Sequence, residues 1–442
     1  MADLIQTIVA FAKKRGFIFP SSEIYGGFGS CYDYGPLGVE LKNNIKKAWW
    51  KAMVREHENI VGLDAAVLMS PKVWQASGHL TAGFADELVE CKKCHHRFRR
   101  DFLKTDKCPD CRGELTKPRK FNLMMKTFVG PVEDEVAVTY LRAETCQGIY
   151  VNFKNILQSM RLKIPFGVAQ IGKAFRNEIT PKNFIYRTRE FEQMEMQWFC
   201  RPKEAAKFFN YWKRERLKWY LNLGLKKDNL RIKEVQKKEL PHYAKRAVDI
   251  EYRFPFGWQE IEGIHNRGDW DLSNHSRHSG EDLRYYDEDT KKKYFPYVIE
   301  TSVGVDRSLF AFLCSSYTEI KGGRTKTTKP TKEVEVLLKL DKSLAPIKVA
   351  VLPLVKNKSN LVKKAREVYQ MLKPHFMTQY DEVGSIGRRY RRQDEIGTIF
   401  CLTIDFDSLR QNDLTVRDRD TMKQERVKIK DLIPFLEEKL KT

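Results

Sequence analysis

The chain has 442 residues, 42% hydrophobic and 31% charged, with a formal net charge of +22. That length exceeds what one hydrophobic core usually organises, so two or three domains are expected, and the apolar and aromatic content excludes wholesale disorder. The positive excess points to a polyanion, nucleic acid first; there is no unbroken apolar run of about 18 residues and no charged-then-apolar leader, so no membrane partner and a cytoplasmic location are expected.

In chain order, Pro36 suits the first position of a helix, and Leu37, Leu41, Ile45, Ala48, Trp49, Ala52 and Met53 form one apolar stripe behind it. A Cys-, Lys- and Arg-rich stretch, 87–120, interrupts the larger domain. Val168 to Ile171 reads as an apolar strand. Farther on, Met194, Met196 and Trp198 alternate with Gln193, Glu195 and Gln197, which gives a strand with one apolar and one polar face. The basic segment 225–246 reads as an insertion carrying loop and helix. Val248 to Phe254 and Tyr297 to Val303 alternate again, so an antiparallel sheet is expected. Residues 321–332, KGGRTKTTKPTK, lack apolar periodicity and read as a linker. Beyond it, Ile347 to Val355 and Phe400 to Phe406 read as strands, and Leu361 to Leu372 and Asp431 to Leu440 as helices, a compact α/β domain.

Five cysteines (Cys31, Cys146, Cys200, Cys314, Cys401) are scattered, which suits reduced thiols in a reducing compartment. The other four form two knuckles, Cys91-x-x-Cys94 and Cys108-x-x-Cys111, thirteen residues apart. Four thiolates suit tetrahedral zinc, and a closed four-cysteine site makes that metal structural. The alternative is a degenerate loop of free thiols.

Phe175-Arg176-Asn177-Glu178 follows the apolar strand, and eight residues later comes Arg187-Thr188-Arg189-Glu190-Phe191. Guanidiniums and an aromatic ring on one hairpin can clamp a nucleotide; a solvated surface hairpin is the alternative. A third segment, Glu300-Thr301-Ser302-Val303-Gly304-Val305-Asp306-Arg307, runs through glycine into an apolar helix. An arginine at a helix start opposes the helix dipole, and an anion nearby resolves the conflict. A triphosphate between Arg176 and Arg307 accounts for both segments.

The helix from Pro36 running to a strand that ends at Pro71, the Arg176 hairpin and the Gly304 to Arg307 turn resemble, in that order, the three motifs of class II aminoacyl-tRNA synthetases. EIYGG (Glu23 to Gly27), YDYGPLG (Tyr32 to Gly38), RAETCQG (Arg142 to Gly148) and ETSVGVDR (Glu300 to Arg307) are similar to the homodimeric glycyl-tRNA synthetases, over nearly the whole chain. The resemblance implies an α+β fold: an antiparallel-sheet catalytic domain over 1–320 with a zinc-knuckle insertion, and an α/β anticodon-binding domain over 333–442. It implies catalytic roles for Arg176, Glu178 and Arg307. It places ATP also against Asn177, Tyr186, Arg187, Thr188, Arg189, Glu190, Phe191, Glu260, Ile261, Arg267, Gly304, Val305 and Asp306, with Mg2+ on the phosphates. Glycine falls to Arg99, Glu144, Phe191, Glu195, Glu300, Thr301 and Ser302.

Here the two readings meet. Glu195 lies on the polar strand face, and Glu300 and Ser302 share one face of theirs, so carboxylates converge on an ammonium group. Filling the remaining volume excludes larger amino acids without editing. The expected reaction joins glycine to tRNA(Gly) through a glycyl-adenylate. In the last domain, Arg388, Arg389, Tyr390 and Arg391 suit phosphates and a stacked base of the anticodon. The competing readings are a class II synthetase for another amino acid, such as histidine, proline or threonine, and a non-catalytic paralogue that only binds nucleic acid.

Overall fold

The computed structural model describes residues 2–81, 84–179, 183–324 and 334–441. After a first helix α1 (Ala2–Lys14), Pro36 opens α2 (Pro36–Trp50) with its nitrogen where no intrahelical partner is needed. Leu41, Ile45 and Trp49 are fully buried on the expected stripe, which continues to Met53. Gly38 is obligatory here, because a Cβ would lie 1.8 Å from the Phe17 carbonyl oxygen.

The alternating segments build one seven-stranded sheet from β1 (Ile60–Gly62), β2 (Phe166–Phe175), β3 (Glu190–Cys200), β4 (Leu230–Glu234), β5 (Arg246–Phe254), β6 (Gly257–Gly268) and β7 (Tyr297–Gly304). Its order is β4-β5-β6-β7-β3-β2-β1, antiparallel except for β1 beside β2. Met194, Met196 and Trp198 point into the main core, under α3 (Ala205–Asn222) and α5 (Val305–Ser316). On the opposite face, α4 (Trp270–Ser279) and the short helix Cys146–Val151 cover one end and leave the polar side chains around a cleft.

The last domain has a five-stranded sheet of β8 (Val349–Pro353), β9 (Thr378–Tyr380), β10 (Phe400–Ile404), β11 (Asp413–Asp418) and β12 (Gln424–Lys428), ordered β9-β8-β10-β11-β12. Helices α6 (Ser359–Leu372), α7 (Ile386–Ile396) and α8 (Leu432–Leu440) complete it. Phe406 does not extend β10 but starts a short helix capped by Asp405, whose carboxylate accepts the Ser408 amide at 3.0 Å. Among the described residues, no helix is long and apolar enough to cross a membrane.

Three local expectations are corrected. The segment 225–246 holds no α-helix: it supplies β4 and two 3-10 turns and joins the main sheet instead of standing outside it. Pro71 ends no strand; the strand is only Ile60–Gly62, and Pro71 opens a short helix capped by Ser70. At the linker, Tyr317–Lys321 pairs antiparallel with Val334–Leu338, and Arg324 bonds to Glu335 at 2.9 Å and Asp394 at 2.5 Å, so only 325–332 of that expectation lies outside the described residues.

Candidate active site

Strand register assembles the floor of the cleft. Glu195 pairs with Ser302, Ser302 with Gly263 and Gly263 with Asp249, while Gln197, Glu300 and His265 form the adjacent row. Residues two apart on a strand share a face, so both rows look into one cleft of about 340 Å³. It collects Glu144, Arg176, Glu178, Tyr186, Arg187, Thr188, Phe191, Glu195, Glu260, Glu300, Ser302, Gly304, Asp306 and Arg307 in its lining.

One end is carboxylate. Oxygens of Glu195 and Glu300 and the Cys146 sulfur lie within 4.8 Å of one another. Glu195 accepts hydrogen bonds from Ser302 Oγ at 2.6 Å, Gln193 Nε2 at 3.1 Å and Thr145 Oγ1. Burial, then the neighbouring Glu300 and Glu144 charges, push its carboxyl up to about 7. Glu300 has the opposite fate: burial raises it, but Arg267 and His265 outweigh burial and hold it at about 2. Arg267 reaches Glu300 at 3.1 and 3.2 Å and Asp271 at 2.7 and 2.8 Å. Glu144, against burial, is held well below the usual carboxylate range by His79, 3.4 Å away. Two ionised carboxylates beside a third that resists ionising make a site that a cation completes. The buried Gln193 Oε1, without a hydrogen-bond partner, is one more acceptor there.

The other end is guanidinium. Arg176 donates Nε to the Ala143 carbonyl at 3.1 Å and lies 5.3 Å from the centroid of Phe191, which walls the cleft. Arg187 pairs with Glu178 at 3.1 Å. Arg307 pairs with Glu260 at 3.2 Å, lies over the Tyr186 ring and bonds the Tyr186 carbonyl at 3.3 Å. Behind it, Asp306 accepts Lys42 Nζ at 3.2 Å, the Glu192 amide at 2.8 Å and the Tyr34 hydroxyl, which ties α2 to the start of α5. Such a cleft can hold an anion and a cation a short way apart and bring them together.

Several expected residues lie elsewhere. Thr301 pairs with Met196 and Ile264 on the core face, and Ile261 and Val305 are also core. Asn177 hydrogen-bonds the Leu123 carbonyl, Glu190 is exposed beside Lys173, and Arg189 bonds the Gly29 carbonyl at 2.9 Å. Arg267 is buried behind Glu300 and does not line the cleft. Arg99 pairs with Asp86 at 2.8 Å and Asp101 at 2.7 Å on the cysteine-bearing module, which meets the cleft where the Phe102 ring lies 5.6 Å from Arg187. Sequence reasoning missed Gln193, Tyr243, Asp249, Gly263 and His265 in the lining. Only Gln193 carried a signal, by sharing the polar face of β3.

In fold, the chain is similar to a prolyl-tRNA synthetase from Cryptosporidium parvum solved with halofuginone and AMPPNP: TM-score 0.65 at 16% identity, covering 98% of this chain and 76% of that one. Residues 131–316 match the family described as tRNA synthetase class II core domain (G, H, P, S and T), and 348–439 match the anticodon binding domain. A glycine–tRNA ligase of Thermobifida fusca is 52% identical, covering 99% of this chain and 98% of that protein. One of Geobacillus kaustophilus is 51% identical, with 100% of each covered. The chain belongs to the glycine–tRNA ligase family.

In this member of the glycine–tRNA ligase family, the four cysteines come together: Cys91 and Cys111 sulfurs are 3.4 Å apart, and Cys94 and Cys108 3.6 Å. Ligands about 2.3 Å from a tetrahedral zinc stand about 3.8 Å from each other, so the donor set fits. Gly113 is needed, since a Cβ would meet Cys91 Sγ at 3.0 Å and Cys111 Sγ at 3.3 Å. On the anticodon-binding domain, Arg388 is exposed and Arg391 half-buried. Arg389 is buried, with its guanidinium on the Pro353, Leu354 and Asp381 carbonyls. Tyr390 packs on β8 and β10 and bonds Thr403 at 2.5 Å. Of the four side chains expected at the anticodon, only Arg389 is fully buried, whereas Arg388 is exposed and Tyr390 and Arg391 are half-buried.

Proposed function

We propose that the cleft activates glycine with ATP and transfers the glycyl group to tRNA(Gly). The observation that carries this reading is the polarity of one cleft, with Glu144, Glu195 and Glu300 at one end and Arg176, Arg187 and Arg307 at the other. Glycine binds by its ammonium to the carboxylates. Its carboxylate oxygen attacks the α-phosphorus, the bond to the bridging oxygen breaks, and pyrophosphate leaves toward Arg307. Arg176 neutralises the α-phosphate as charge develops, and the adenine stacks on Phe191. The terminal ribose hydroxyl of tRNA then attacks the glycyl carbonyl, loses its proton as the ester forms, and AMP departs.

Glu260, beside Arg307 with a side chain 43% exposed, would help hold Mg2+, which would supply neutralisation of the phosphates. Cys91, Cys94, Cys108 and Cys111 hold a structural zinc. The two large sheets support a catalytic unit within 1–320 and an anticodon unit within 333–442, with the strand pair Tyr317–Lys321 and Val334–Leu338 between them in sequence. A homodimer through α2, whose Val39 is exposed, and a cytosolic location, which suits nine unbridged cysteines, complete the reading. Retention of Arg176, Arg307 and all three glutamates weighs against a non-catalytic paralogue. ATP–pyrophosphate exchange with each amino acid in turn tests it: exchange is expected with glycine, and exchange with proline but none with glycine overturns the assignment.

A further inference from the structure

The basic segment whose role the sequence left open crosses the mouth of the cleft. From it, Val235, Glu239, Pro241 and Tyr243 reach the lining. The turn is fixed by the Ala244 amide on the Pro241 carbonyl at 2.9 Å and the Lys245 amide on the Asn266 carbonyl at 2.7 Å. Next to it, His242 packs edge-on against Trp270 at 5.2 Å. Tyr243 is held more tightly still. Arg267 Cζ lies 3.7 Å from its ring centroid, and His265 meets the ring edge-on at 6.0 Å.

Arg267 is the same guanidinium that fixes Glu300, so one cation positions both the carboxylate and the ring. Burial, reinforced by Glu300 and Glu144 and opposed by Arg267, raises the phenol well above its ordinary value, so the ring is a neutral neighbour of those carboxylates. Glu195, Ser302 and Gly263 form the floor, and Tyr243 is the largest uncharged side chain at the carboxylate end of the lining.

We propose that Tyr243 is a specificity-determining residue: its ring occupies the space a substrate Cβ would need above the ammonium-binding carboxylates, and so rejects L-amino acids larger than glycine. This rests on the reading that those carboxylates hold the glycine ammonium. An amino acid anchored there, with its carboxylate toward Arg176, lies between floor and ring. A hydrogen fits, and a methyl group strikes the aromatic face. A packed pocket discriminates one such carbon by roughly 10- to 200-fold.

The test is ATP–pyrophosphate exchange with glycine, L-alanine and D-alanine on wild type, Tyr243→Ala and Tyr243→Phe. Tyr243→Ala should lower the ratio of kcat/KM for glycine over L-alanine by roughly 10- to 200-fold, and Tyr243→Phe should keep it. Equal losses toward both substrates would show a purely structural role and overturn the proposal, as would a gain for D-alanine alone. If Tyr243→Ala fails to fold, Tyr243→Leu keeps apolar contact with Arg267 but not the reach of the ring, and an unmoved ratio in folded Tyr243→Leu overturns the proposal equally. A wild type inert with glycine brings down the reading of the cleft, and this proposal with it; an active wild type with an unmoved ratio brings down this proposal alone.

Discussion

Replacing Glu195 with Gln should separate stability from function. In the folded protein the carboxyl ionises at about 7 instead of its usual 4.5, because it is buried beside Glu300 and Glu144. The difference corresponds to about 3 kcal/mol held against the ionised form. For an acid whose folded value is raised, this penalty is absent below pH 4.5, grows as pH rises toward 7, and is constant above. Gln removes the penalty but offers one acceptor oxygen where Ser302, Gln193 and Thr145 supply three donors, and an orphaned donor costs about 1–3 kcal/mol. The variant should therefore be as stable as wild type at pH 8 or more so, with the loss of stability between pH 5 and 7 flattened.

Activity moves the other way. The ammonium loses a buried partner worth about 3–5 kcal/mol, which is roughly two to three and a half orders of magnitude in KM for glycine, with KM for ATP little changed. In wild type, kcat/KM for glycine should fall about tenfold per pH unit below about pH 6, as Glu195 takes up its proton; in Glu195→Gln that slope should vanish. Thermal melts and pyrophosphate exchange from pH 5 to 8.5 measure both. A glycine KM within a few-fold of wild type would refute the ammonium site, and a large drop in melting temperature would refute the charge argument.

Arg267→Met leaves Asp271 and Glu300 buried without their cation and should cost about 3–5 kcal/mol. It should also shrink the stability that wild type gains above pH 4.5 and loses as pH falls toward 2, leaving the part supplied by His265, read as melting temperature at pH 7 against pH 3. Arg388→Ala should weaken charging through KM for tRNA while leaving glycine-dependent exchange intact. Arg389→Ala should instead lower the melting temperature of the anticodon-binding domain, since three carbonyls lose their donor. Purified protein should carry about one zinc per chain, lost together with the fold of the 87–120 module in Cys108→Ser; metal analysis and limited proteolysis read the two.

What could be read in the sequence was what repeats at short range. Met194, Met196 and Trp198 against Gln193, Glu195 and Gln197 expose the parity of β3, and the cysteine spacing exposes the cluster of four sulfurs. That same parity shows why Thr301 fails where Glu300 and Ser302 succeed: it is the odd residue on β7 and faces the core. The segment 225–246 misled because an edge strand with a solvated face carries the charges of a loop, and Arg231, Lys233 and Glu234 on β4 are exposed. Arg389 misled because its chemistry suits phosphate and strand-end carbonyls alike, and only burial separates the two. Tyr243 and His265 left no trace, since their places in the lining come from how distant segments of the chain pack together.

The pairing of the sheet also orders how the site can breathe. The strands of Glu195 and Glu300 are hydrogen-bonded on both sides, whereas β4, which leads into the Tyr243 segment, is paired along one edge over five residues. Local opening follows the seam with the fewest bonds to break. Backbone amides from Gln236 to Tyr243 should thus exchange with solvent deuterium well before those of β3 and β7. Glu195 and Glu300, on strands paired along both edges, should keep their spacing while that edge opens and closes.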